Sequence, residues 1–200
     1  MRLFVDIFRS SITAGLFIAL GGFVFLKVGG IVGACLFTFG LLGVIHYQVH
    51  LFTGRSGYVN SASDVFLLFT AVLFGNVLGC YLVSLLVTET AMVEAASALV
   101  ATRVSSGLLT NFLLAIPCGF IMTTCVEFGR EDKFLPTLFG IPLFIMCGFR
   151  HCIADAFYLC VNGVYSTELF YIWGVIVLGN FIGCKLFRVI NFKSFFNKSL

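Results

Sequence analysis

Charge is what this chain has least of. Asp, Glu, Lys and Arg make up 10% of its 200 residues and hydrophobic residues 60%, whereas an ordinary soluble domain is roughly one quarter charged. That balance excludes a water-soluble globule and makes a bilayer the implied solvent. The eight cysteines include no CxxC pair and fall almost entirely within apolar runs. They read as small packing residues, with no disulfide framework or zinc site implied. No small-residue cleavage pattern follows the first apolar run, so that run is expected to remain as a helix and not to be removed as a signal peptide. The net charge of +3 sits at the edges of apolar runs, which argues against nucleic acid as a partner.

What the chain does have is six long uncharged runs: Ser10 to Leu26, Val28 to Gly54, Val65 to Thr88, Val104 to Val126, Phe134 to Phe149 and Leu169 to Cys184. Most reach the ~17 to 25 residues that a spanning helix needs. The expectation is one all-α transmembrane domain over residues 1–200, with short loops, no soluble catalytic module, no cofactor and no enzymatic role. Arg2, Arg9, Arg55, Arg130, Lys133, Lys185, Arg188, Lys193 and Lys198 fall on one side if both termini are cytoplasmic, leaving Lys27 and Arg103 on the other. The positive-inside rule favours that orientation.

The frame Gly75-Asn76-x-x-Gly79-Cys80 in the third run recurs as Gly179-Asn180-x-x-Gly183-Cys184 in the sixth. Three spans per half is an odd number, so halves of approximately 1–90 and 100–190 would enter the membrane in opposite senses, as an inverted repeat. The second run is too long for one upright helix and is expected to break near Thr53 to Gly57. The fifth is expected to break at Gly148 to Asp155 and to resume at Ala156. Non-helical backbone at membrane depth survives only where protein or a water-filled cavity surrounds it, so these two elements are expected to line a pathway.

Ionisable residues inside the runs are functional suspects: His46, His50, Arg150, His151 and Asp155. His151 stands at the fifth break, where it could bind an anion and donate a proton to it. Thr53 and Asn111 are polar groups able to orient an anion without adding fixed charge. Arg150 and Asp155, five residues apart across a helix start, are expected to pair. His46 and His50 share a helical face. Two ligands are too few for zinc, but a haem held by one of them and His151 is a rival reading.

These residues also carry a resemblance. His50-Leu-Phe-Thr-Gly54, Gly75-Asn76-x-x-Gly79, Thr110-Asn111-Phe112, Gly148-Phe-Arg-His-x-x-Ala-Asp155 and Gly179-Asn180-x-x-Gly183, together with Gly15-Leu-Phe-Ile-Ala-Leu-Gly21, occur in the order of the motifs of the formate/nitrite transporter family, which the chain resembles. The resemblance implies an aquaporin-like six-helix protomer with broken second and fifth helices, assembled as a pentamer with one pore per protomer. It also implies His151 as the central pore histidine, Thr53 facing it and Asn111 beside it. An apolar constriction is implied at Phe37 and Phe144 on the outer side, and another at Leu41, Leu51 and Phe52 on the inner side. Three positions depart from the family: His50 and Arg150 stand where it has glutamate, and Asp155 where it has asparagine. Arg103 is out of register with the basic residue the family carries ahead of its fourth helix.

The expected function is a channel or transporter for a small weak-acid anion (formate, nitrite, hydrosulfide or a short carboxylate) that is protonated at His151. The expected setting is a prokaryotic cytoplasmic membrane, with protons and lipid as the other partners. A haem-binding electron-transfer subunit and a water or neutral-solute channel are the rivals.

Overall fold

The computed structural model of the chain describes residues 2–190; Lys193 and Lys198 lie outside the described residues. Helix α1 (Arg2–Val28) is followed by α2 (Gly30–His46) and the short α3 (Phe52–Ser56). Next, α4 (Ala62–Leu67), a π turn (Leu68–Val72) and α5 (Leu73–Ser84) run on as one rod. After them come α6 (Thr90–Arg130), α7 (Leu135–Met146), α8 (Cys152–Asn162) and α9 (Thr167–Ile190). Arg2–Val28, Ala62–Ser84, Thr90–Arg130 and Thr167–Ile190 are each long and apolar enough to cross a bilayer. The pairs α2 with α3 and α7 with α8 complete six crossings as composites of shorter pieces. The protein is therefore read as an integral membrane protein.

Both breaks differ in detail from the sequence expectation. The second element breaks at 47–51, and Thr53 to Ser56 lie inside α3. The fifth breaks at 147–151, and α8 already resumes at Cys152. Gly148, at φ 68°, does lie in the fifth break, whereas the glycines of the second element pointed to the wrong residues because that interruption is set by tertiary hydrogen bonds, which local sequence does not display. A further helical segment was not foreseen: α6 is helical from Thr90, and Gly107, at φ 71°, kinks it into 90–106 and 108–130. A φ of that sign suits glycine and few other residues.

Two asparagines organise the bundle. Asn76 Oδ1 accepts the Phe52 N–H at 2.8 Å, while its Nδ2 donates to the carbonyls of Ser11 at 2.8 Å and His50 at 2.9 Å. Asn180 Oδ1 accepts the Cys152 N–H at 2.8 Å, and its Nδ2 donates to the carbonyls of Ala115 and Arg150, both at 2.8 Å. Each side chain thus ties the start of a short helix to the residue two before it and to a neighbouring long helix. The cysteines of the repeated frame cross between halves: Cys80 Sγ donates to the carbonyls of Gly15 and Ile153, and Cys184 Sγ to those of Gly119 and Thr53. The glycines let the rods touch. A Cβ at Gly79 would lie 2.3 Å from the Ile12 carbonyl oxygen, and one at Gly183 would lie 2.0 Å from that of Ile116.

Both asparagines are fully buried. Truncating one strands a backbone N–H and the carbonyl two residues before it away from water, at about 1 to 3 kcal/mol per orphaned group, while the Ser11 or Ala115 carbonyl keeps its place in a long helix. Asn180→Ala is expected to lower the thermal midpoint of the detergent-solubilised protein far more than Asn60→Ala, a change at an exposed turn. Equal shifts would show that the asparagine is not holding the break.

Candidate substrate pathway

The two breaks bring Thr53 and His151 together. Thr53 Oγ1 lies 3.1 Å from His151 Nε2, and both residues are buried, at 0% and 2% exposure. His151 is the N-cap of α8, its Nδ1 accepting the Ala154 N–H at 3.1 Å. A ring nitrogen that accepts a backbone N–H carries no proton. In this arrangement the imidazole is therefore neutral, with its hydrogen on Nε2 directed at Thr53.

Apolar residues enclose this pair. Phe144 lies against the imidazole with ring centroids 5.7 Å apart, and Phe37 meets Phe144 edge-on at 6.2 Å. Leu41, Leu51 and Phe52 are each fully buried, and Phe52 packs on Phe69 of the π turn at 5.4 Å. All five residues expected at the constrictions are thus interior, with Phe37 and Phe144 in the same aromatic cluster as the histidine.

Asn111 is placed differently from the expectation. Its Oδ1 accepts Arg150 Nε at 3.0 Å, and its Nδ2 donates to the carbonyls of Arg103 at 2.6 Å and Gly107 at 2.8 Å. It closes the α6 kink and holds Arg150, and it bonds neither His151 nor Thr53. Arg150 also donates to Ser106 Oγ at 3.2 Å.

Of the direct or water-bridged ion pair expected between Arg150 and Asp155, the direct form is absent among the described residues. Asp155 Oδ1 instead accepts Arg103 Nε at 3.0 Å and NH2 at 2.8 Å, with side-chain exposures of 13% for Arg103 and 5% for Asp155. Arg103 comes from the unforeseen helical segment ahead of the kink, so sequence spacing alone favoured the nearer arginine. Asp155 faces a small cavity bordered by Tyr158 and Trp173.

His50 also lies away from the central pair. Its Nδ1 is 2.8 Å from Ser10 Oγ, and its Nε2 accepts from Arg55 NH2. A haem iron bridging His50 and His151 would have to displace protein partners from a ring nitrogen of each. Sequence reasoning did not single out Arg55, because an arginine at the edge of an apolar run reads as a membrane-edge charge.

Arg55 belongs to a basic end of the bundle. There Tyr58 lies between the guanidinium groups of Arg130 and Arg188, 3.9 and 4.5 Å from its ring centroid. The Tyr58 hydroxyl donates to Glu127, which also receives Arg188 NH1 at 3.0 Å. Burial, with the Glu127 bond, pushes the Tyr58 hydroxyl well above its ordinary pKa, so it stays protonated as a donor.

Long apolar rods, two broken crossings and polar side chains meeting at the breaks define a membrane protein built around a central passage. The sequence matches the formate/nitrite transporter family over residues 2–190, and the chain belongs to that family. No curated protein sequence matches the chain. Among solved structures, it is similar to a pentameric formate channel with formate bound, at TM-score 0.83 and 18% identity over 98% of this chain and 99% of that one. It is also similar to an FNT family ion channel, at TM-score 0.80 and 18% identity over 98% and 91% of the two chains.

Removing one partner of a buried ion pair typically costs about 3 to 5 kcal/mol, because the other charge is left uncompensated. Arg103→Met and Asp155→Leu are each expected to destabilise the protein strongly, and the double variant to recover most of the loss, in a thermal-unfolding cycle. Arg150→Gln combined with Asp155→Asn should be closer to additive. Strong coupling in that second cycle, and none in the first, would reverse the assignment.

Proposed function

We propose that the protein is a channel or transporter for a small monovalent weak-acid anion such as formate, nitrite, hydrosulfide or a short carboxylate, and that His151 and Thr53 form its central site. The observation that carries this reading is the buried Thr53–His151 hydrogen bond, bordered by Phe144 and, behind it, Phe37. Family membership and the likeness to a formate channel support the anion class. The proposed pathway is an aquaporin-like arrangement of inverted halves, supported by the matching bond sets of Asn76 and Asn180. The termini are assigned to the cytoplasmic side by the distribution of lysine and arginine.

An isolated ion pays several kcal/mol or more to enter an apolar barrier. A weak acid avoids most of that cost by crossing in its neutral form. The proton donor in this scheme is the imidazolium of His151, formed when Nδ1 takes up a proton and the Ala154 N–H bond to it opens. The Nε2 proton then passes through the Thr53 hydroxyl to the anion, giving the neutral acid and an imidazole with its hydrogen on Nδ1. Loss of that hydrogen and reprotonation restore the starting tautomer. Arg150, fixed by Asn111 and adjacent in sequence to His151, adds positive charge that favours an approaching anion.

His151→Asn keeps hydrogen-bonding capacity and approximate size but cannot titrate. Weak-acid flux into proteoliposomes is expected to fall about a hundredfold, while the protein stays folded and oligomeric. The residual pH dependence should follow the substrate's own acid fraction. Thr53→Val is expected to lose less. Wild-type rate and pH profile in His151→Asn would overturn the proton exchange.

A pentamer is the proposed assembly, as in the formate channel of the same fold. The exposed apolar faces, including Leu109, Phe139 and Phe170, are those a bilayer and neighbouring protomers would cover. Mass measurement in mild detergent should find five chains, and monomers alone would count against it.

A further inference from the structure

The basic end of the bundle holds a cavity of about 320 Å³ to which Arg55, Arg130, His46, Gln48 and Asp132 contribute. Arg55 and Arg130 are close enough for each charge to act on the other. Neither is in a salt bridge with a carboxylate among the described residues: Arg130 lies over the Tyr58 ring, and Arg55 donates to His50. Two like charges at one cavity wall repel, so something must keep Arg55 there.

His50 supplies that hold, and its bonding fixes its charge state. A guanidinium only donates, so Nε2 must offer a lone pair to Arg55. The ring hydrogen is then on Nδ1, where it meets Ser10 Oγ at 2.8 Å. The backbone is tied as well, the His50 N–H donating to Ser10 Oγ at 3.2 Å and its carbonyl accepting from Asn76. The charged and titratable groups around the ring are Arg55 from α3, Tyr58 from the turn after it and Asp64 at the head of α4. Asp64 is engaged with the backbone N–H groups of Asn60 and Ser61. The ring is thus a neutral acceptor that orients Arg55 without cancelling its charge, as a carboxylate in its place would.

We propose that Arg55 and Arg130 form an oxyanion-binding site in this cavity, at the mouth of the pathway, and that His50 is the positioning residue that keeps Arg55 in it as an uncompensated cation. Two guanidinium groups favour a small oxyanion and favour a divalent one more. A divalent anion has no neutral form at ordinary pH with which to pass the apolar barrier, so it occupies the site and blocks it. As the pathway's mouth, the site rests on the anion reading above; as a binding site, it does not require transport.

The test is equilibrium binding of radiolabelled sulfate to the purified, detergent-solubilised protein, paired with sulfate inhibition of formate flux in proteoliposomes. Arg55→Gln and Arg130→Gln are each expected to weaken sulfate binding about tenfold, by loss of one of two unit charges from a partly screened site. His50→Gln, a neutral acceptor, should bind as the wild type does. His50→Glu should lose about as much as Arg55→Gln, and adding it to Arg55→Gln should cost much less than it does alone. Uptake of a neutral solute and the unfolding temperature report whether any variant is merely misfolded. Sulfate binding unchanged in both Arg55→Gln and His50→Glu, with folding intact, would overturn the proposal, and so would equal losses in His50→Gln and His50→Glu. Intact sulfate binding with no formate flux would instead remove the transport reading and leave the site standing.

Discussion

The structure depends on solving one problem: backbone that leaves the helix inside a membrane must still find hydrogen-bond partners. With no water in the hydrocarbon core, every orphaned N–H or carbonyl is costly. Here Asn76 and Asn180 each commit a carbonyl oxygen to the first N–H of a short helix, one amide hydrogen to the stranded carbonyl of His50 or Arg150, and the other to a carbonyl of a neighbouring long helix. Because each asparagine sits on a long rod, the same bonds that permit the break also fix where it lies. Thr53 and His151, at the first turns of α3 and α8, are brought within hydrogen-bonding distance as a consequence.

The glycine frames serve the same end. Asparagine is short, so its amide reaches three backbone partners only if the helices nearly touch. At Gly15 and Gly119 an added Cβ would lie 2.2 Å from the carbonyl oxygens of Asn76 and Asn180 respectively. The same residues that pack the rods closely therefore also seat the asparagines. A small-residue face in a membrane helix usually reads as helix association alone. In this bundle it also positions the central site.

Much of this was legible in the sequence. Six uncharged runs gave the crossings, and the repeated Gly-Asn-x-x-Gly-Cys frame marked the residues that hold both breaks. The motif order led to the family and to the Thr53–His151 pair. Gly148 marked the fifth break, but the second break was not legible, because Gly57 signals where a chain can bend and not which carbonyl an asparagine will reach. Nor was the Arg103–Asp155 pair. That bond spans 52 residues and depends on a helical segment that falls between the third and fourth uncharged runs. Asn111 was expected at the passage for its polarity, and the kink at Gly107 claims it instead.

The saturation of these polar groups bears on how so apolar a bundle could select an anion. Asn76, Asn180 and Asn111 have both amide hydrogens and the side-chain oxygen engaged with protein, whereas Asp155 binds Arg103 through Oδ1 and keeps a buried Oδ2 with no partner among the described residues. A hydroxyl carries one donor and two acceptor positions, and Thr53 uses only one of these toward His151. The Nε2 hydrogen of His151 is directed at Thr53 Oγ1, so an anion at the centre would meet the Thr53 hydroxyl as its donor, with Phe144 covering the ring. So few donors cannot replace a full hydration shell, which disfavours a strongly hydrated ion that must cross with its charge. In the proposed mechanism the anion sheds its charge on the way, and discrimination would then fall on basicity and size.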